Sequence, residues 1–77
     1  MLRKKIENLR GHLLKENPER CKELVTQFRI EVRELIRASF LDTQVKSLLA
    51  VIPEELQQKI YANDPVDEEL EKFILRS

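Results

Sequence analysis

The sequence predicts an all-α fold, a small helical bundle. An antiparallel hairpin of helices at about 2–15 and 18–39 is covered by three short helices at about 42–52, 53–62 and 65–76. Three observations predict it. Apolar residues recur at steps of three and four along the chain, the spacing of one helix face. No segment alternates apolar and polar residues with the period of a strand. Pro18, Pro53 and Pro65 divide the chain into pieces of helix length, each opening with helix-start chemistry.

In the first helix, Leu2, Ile6, Leu9 and Leu13 form a narrow apolar seam. Gly11 interrupts it at a cost of about 1 kcal/mol relative to alanine. It faces away from the seam, so it reads as a tolerated weakness rather than a close backbone approach. Pro18 disfavours helical geometry at Asn17 and ends the helix. Asn17 then suits the cap, Pro18 the first position and Glu19 the first turn of the second helix. A turn as short as Glu16-Asn17 joins antiparallel neighbours.

The second helix organises the chain. Cys21, Val25, Phe28, Val32 and Leu35 continue the four-three repeat, and Leu24 and Ile36 widen it into a stripe. At about 100° per residue, Lys22, Arg29, Arg33 and Arg37 fall on one flank, and Glu23, Glu31 and Glu34 on the other. The helix should end near Ser39, with Phe40 and Leu41 as an apolar hinge.

Asp42 or Thr43 caps the third helix, which faces inward through Val45, Leu48, Leu49 and Ile52 until Pro53 stops it. The fourth starts at Pro53-Glu54-Glu55 and turns Leu56 and Ile60 inward, with Tyr61 alongside. Asn63-Asp64-Pro65 repeats the break, with Asp64 as cap and Pro65 as the start of a fifth helix whose inner face is Val66, Leu70, Phe73 and Ile74. Helices this short take their stability from packing on the hairpin.

A chain of 77 residues makes one domain, residues 1–77, with a marginal core. One cysteine and one histidine supply neither an internal disulfide nor an ordinary zinc site. A second chain is the remaining stabiliser, and two narrow seams suit helix pairing, so a homodimer is the expected form. Arg3, Lys4, Lys5, Glu7 and Arg10 leave no apolar signal segment, and the uncharged run 47–53 is too short for a bilayer. The expected setting is cytoplasmic, with a reduced thiol and no membrane contact. Net charge is zero, but residues 1–38 hold ten basic and six acidic side chains (10 − 6 = +4), and residues 39–77 hold four and eight (4 − 8 = −4). Complementary halves account for this, as does a basic half that faces an anionic partner.

The candidate chemistry is thin. Cys21 near a helix start, with His12 across an antiparallel turn, is the skeleton of a thiol nucleophile. Against it, Cys21 lies in the apolar seam and no oxyanion-hole motif accompanies it. Asp64, Asp67, Glu68, Glu69 and Glu71 lack a calcium-loop pattern and read as first-turn acids. With Gly11 as the single glycine, no phosphate-cradling loop exists. Residues 42–62 suggest helix-turn-helix, but Glu54-Glu55 at the reading end would repel phosphate. No enzyme and no cofactor or metal are therefore expected. Arg29, Arg33 and Arg37 stand in a row with only Glu34 at pairing distance on their own helix. They should pair with Asp67, Glu68, Glu69 or Glu71, or else with an external anion. The expectation is a non-enzymatic protein-interaction or regulatory module. It would bind another protein, with Leu2, Ile6, Leu9, Leu13, Cys21, Val25, Phe28, Val32 and Leu35 as dimer or core seam. The alternative is a nucleic-acid-associated regulator using Arg29, Arg33, Arg37, Lys4, Lys5 and Arg10.

Overall fold

A computed structural model describes residues 2–77. The helices are α1 (Leu2–Leu13), α2 (Pro18–Ser39), α3 (Thr43–Leu48), α4 (Glu54–Tyr61) and α5 (Asp67–Arg76), with a 3₁₀ turn at Leu49–Val51. There is no strand among the described residues. The fold is the small all-α bundle the periodicity predicts.

Asn17 caps α2 by accepting a hydrogen bond from the Arg20 amide at 2.8 Å, directly before Pro18. The chain reverses over residues 14–17, and α1 returns antiparallel along α2. Lys5 near the start of α1 pairs with Glu31 in the second half of α2. The Cys21 thiol at the start of α2 points toward the Leu13 carbonyl, 3.4 Å away at the end of α1. Every other helix packs against α2.

Leu2, Ile6, Leu9, Leu13, Cys21, Val25, Phe28 and Val32 all lie buried in one core within a single chain. Leu49, Ile52, Leu56, Ile60, Val66, Leu70 and Ile74 from the C-terminal half complete it. At the end of the seam Leu35 is partly buried and packs against this core, while Ile36, expected to widen the stripe, is the buried one. A straight helix of 3.6 residues per turn drifts by about 20° per heptad from a 3.5-residue repeat, and this drift carries the buried line from 35 to 36.

The boundaries also shift. The first helix ends at Leu13 rather than near 15. The third ends at Leu48 and tightens into the 3₁₀ turn, because Ile52 must be extended before Pro53. Leu48 is consequently exposed, whereas Leu49 and Ile52 are buried. The Gln57 side-chain amide holds this corner, donating to the carbonyls of Leu49 at 2.8 Å and Ile52 at 2.9 Å. The fourth helix spans Glu54–Tyr61 rather than 53–62. The fifth begins at Asp67 rather than 65, and Asp64 does not cap it. Residues 63 and 64 instead close α4. Asn63 is left-handed (φ 61), and the amides of Asn63 and Asp64 bond back to the carbonyls of Ile60 and Lys59. This Schellman pattern satisfies carbonyls the helix end would otherwise leave bare.

Two substitutions probe this packing. Val32 has no exposed surface, so Val32→Asp buries an unpaired carboxylate. We expect a loss of about 3–5 kcal/mol in denaturant melts, enough to unfold a domain of this size. A Cβ added at Gly11 meets nothing within 4 Å. Gly11→Ala is therefore expected to raise stability by about 0.5–1 kcal/mol, readable as a higher melting temperature.

Candidate functional site

The arginine row on α2 does not act as a unit. Arg29, the most enclosed of the three, donates from Nε to Asp67 Oδ1 at 2.9 Å. The other oxygen of Asp67 accepts from the Thr26 hydroxyl at 3.2 Å, so the start of α5 is tied twice to α2. Arg33 finds no carboxylate. Its Nε donates to the Tyr61 carbonyl at 3.2 Å, at the C-terminal end of α4 where the helix dipole is negative. Its guanidinium lies 5.4 Å from the centroid of the Tyr61 ring, a cation–π contact. Arg37 is exposed and reaches only Glu34, at 3.8 Å. The expected pairing with the acids of the last helix thus holds for Arg29 and Asp67. Glu69 is taken by Lys59 at 3.2 Å, and no ion pair within the chain engages Glu68 or Glu71 among the described residues.

The basic residues of the first half are split between two flanks. Lys5 pairs with Glu31 on the acidic flank of α2, while Arg29 and Arg33 reach α5 and α4 from the opposite flank. Lys4 and Arg10 are exposed on α1. Lys5 is thereby set on the flank of α2 opposite Arg29 and Arg33.

A different cluster forms around Arg33. Phe40, the residue that closes α2, sets its ring edge-on to Tyr61, with centroids 5.5 Å apart and planes at 85°. Tyr61 is 40% exposed, Phe40 66% and Leu41 96%. Arg37 lies one turn before Leu41 and its side chain is exposed. Where the ends of α2 and α4 meet, Tyr61 contacts both Phe40 and Arg33, with exposed Leu41 next to Phe40 in the chain and exposed Arg37 three residues before it. Sequence periodicity misses this patch, because Phe40 and Leu41 belong to no helix face and Tyr61 flanks one. The available signal is an adjacent apolar pair placed where the chain turns.

The remaining candidates have structural explanations. Cys21 is 7% exposed, and its thiol faces the carbonyls of Leu13 at 3.4 Å and Glu16 at 3.6 Å. His12 lies exposed on the wall of a small groove of 170 Å³ between α1 and α2. A depression of 660 Å³ between the start of α4 and α5 is open and mixes Glu55, Glu68 and Glu69 with Lys72 and Arg76. Among the described residues no group of His, Cys, Asp and Glu is placed to hold a metal ion. The hydrogen bond to Glu69, together with its charge, raises Lys59 above the ordinary lysine value. Raised in the folded state, Lys59 contributes stability in full at neutral pH and loses it as alkaline pH passes through that value. No helix among the described residues is long and apolar enough to cross a membrane.

The fold and surface define a small helical bundle with an exposed aromatic–arginine corner. Comparison of the chain with protein-family models, curated proteins and solved structures returns no match.

The two roles within the arginine row are separable by mutation. In a double-mutant cycle on melting free energy, Arg29→Glu and Asp67→Lys are expected to couple by about 0.5–1 kcal/mol at low salt and by less at high salt. Arg37→Glu should leave the melt within about 0.5 kcal/mol of wild type.

Proposed function

We propose that this chain is a non-enzymatic protein-interaction module. It docks a second protein on the corner formed by Arg33, Arg37, Phe40, Leu41 and Tyr61. One observation carries the reading: Phe40 and Leu41, 66% and 96% exposed, adjoin a tyrosine and two guanidinium groups. Tyrosine and arginine are the side chains that dominate binding energy at protein interfaces.

A homodimer, the form expected from the seams, would have to be built elsewhere, because one chain fills the seams itself. A two-fold axis through a patch this small would set Arg33 and Arg37 of both copies near one another. Like charges there oppose the contact, which favours a different chain as partner. A nucleic-acid role would draw on the same aromatics and arginines by stacking. The pairing of Lys5 with Glu31, on the flank of α2 opposite Arg29 and Arg33, counts against it.

The test compares wild type with Phe40→Ala/Leu41→Ser as baits in the native host, alongside thermal melts and sedimentation. We expect equal melts, a monomer in isolation, and a protein partner held by wild type and lost by the double variant. Identical capture by both baits would overturn the reading.

A further inference from the structure

We infer that the partner's contact segment is acidic, with carboxylates bordering an apolar anchor. This rests on the docking reading above and adds the chemistry of the partner. Arg33 uses Nε on the Tyr61 carbonyl, and its two terminal nitrogens make no hydrogen bond to any described residue. Arg37 has one contact, at 3.8 Å, beyond hydrogen-bond reach. The two guanidinium groups lie four residues apart on one helix face, where like charges repel. Carboxylates from outside would satisfy the free donors and relieve that repulsion together. The geometry is prepared for this, because the Tyr61 ring and carbonyl already hold the Arg33 fork in place.

The apolar half of the patch decides which anion fits. Phe40 and Leu41 flank the guanidinium groups, and their exposure is relieved only by an apolar counterpart. Phosphates offer none, and the bases of a single strand could stack on Phe40 but not match Leu41, which the oligonucleotide titration below tests. Glu34 beside Arg37 and Asp42 next to Leu41 would repel a polyanion, whereas a segment with a few spaced carboxylates can avoid them. An amphipathic helix with leucines on one face and glutamates at its border meets both halves of the surface.

The experiment titrates the isotopically labelled full chain by NMR with such a leucine–glutamate peptide. Parallel titrations use the same peptide with lysine for glutamate, a single-stranded oligonucleotide and anionic phospholipid vesicles. We expect amide shifts concentrated at residues 33–41 and 61 with the glutamate peptide alone, weakening as salt rises. Arg37→Glu, whose fold should be intact, should lower that affinity about tenfold. Equal binding of the lysine peptide, binding of oligonucleotide or vesicles instead, or no response to any probe would overturn the acidic partner. The docking reading stands or falls separately. If Phe40→Ala/Leu41→Ser loses the host partner but Arg37→Glu keeps it at unchanged affinity, the patch docks a protein and the inference about its charge is wrong.

Discussion

The structure depends on burying one stripe of α2. Val25, Phe28 and Val32 have almost no exposed surface, and every other helix contributes to covering them. A chain of 77 residues has room for one core, and each short helix is below the length at which a helix holds by itself. The stripe on α2 is the template on which they become stable. Its continuity explains why the chain spends its longest uninterrupted helix there and places all three prolines at the boundaries between elements.

The sorted charge of α2 follows from the same geometry. With the apolar stripe covered, the two flanks each meet a different neighbour. The acidic flank meets α1 through Glu31 and Lys5, and the basic flank meets α4 and α5 through Arg33 and Arg29. Single pairs this exposed contribute little energy. Their combined effect is orientation: swapping the flanks would set α1 bases against arginines and α5 acids against Glu31. Among the described residues, the ion pair that joins the basic half to the acidic half is Arg29–Asp67.

Much of this fold is legible in the sequence because it rests on short-range rules. Helical periodicity identifies the sixteen buried positions almost completely, since amphipathic spacing is the direct image of a core face. At Leu35 the heptad still finds the core, but Ile36 is the more deeply buried of the two, as the drift of a 3.6-residue helix from a 3.5-residue repeat requires. The 3₁₀ turn at Leu49–Val51 and its closure by Gln57 depend on a side chain reaching back eight residues, which no local pattern encodes. Asn63 lies in the break that Pro65 predicts, but its part there is to finish α4, not to help begin α5. A left-handed asparagine and a helix-starting one look alike in sequence, and only the chain's path past Ile60 separates them. The pairing of Arg29 with Asp67 follows from charge and helix start alone. That Arg33 chooses a carbonyl and a ring depends on how α4 ends against α2, a tertiary fact.

The α2–α3 corner holds the most exposed large apolar residue among the described residues, Leu41, beside Phe40. Phe40 closes α2 and Asp42 caps α3, so Leu41 alone spans the connection. Both flanking backbones are fixed by hydrogen bonds, and a residue between two such caps has no core to turn into. A polar residue there would satisfy the turn without exposing hydrocarbon. The chain instead places phenylalanine and leucine where burial of each by something else would be worth about 1.5–3 kcal/mol. Nothing in the packing of α2 requires it, since the core closes at Ile36 and Leu49 without them. Tyr61 contacts the ring of Phe40 edge-on without covering it. Packing within the chain therefore does not account for these two residues, and that is the ground on which the docking proposal rests.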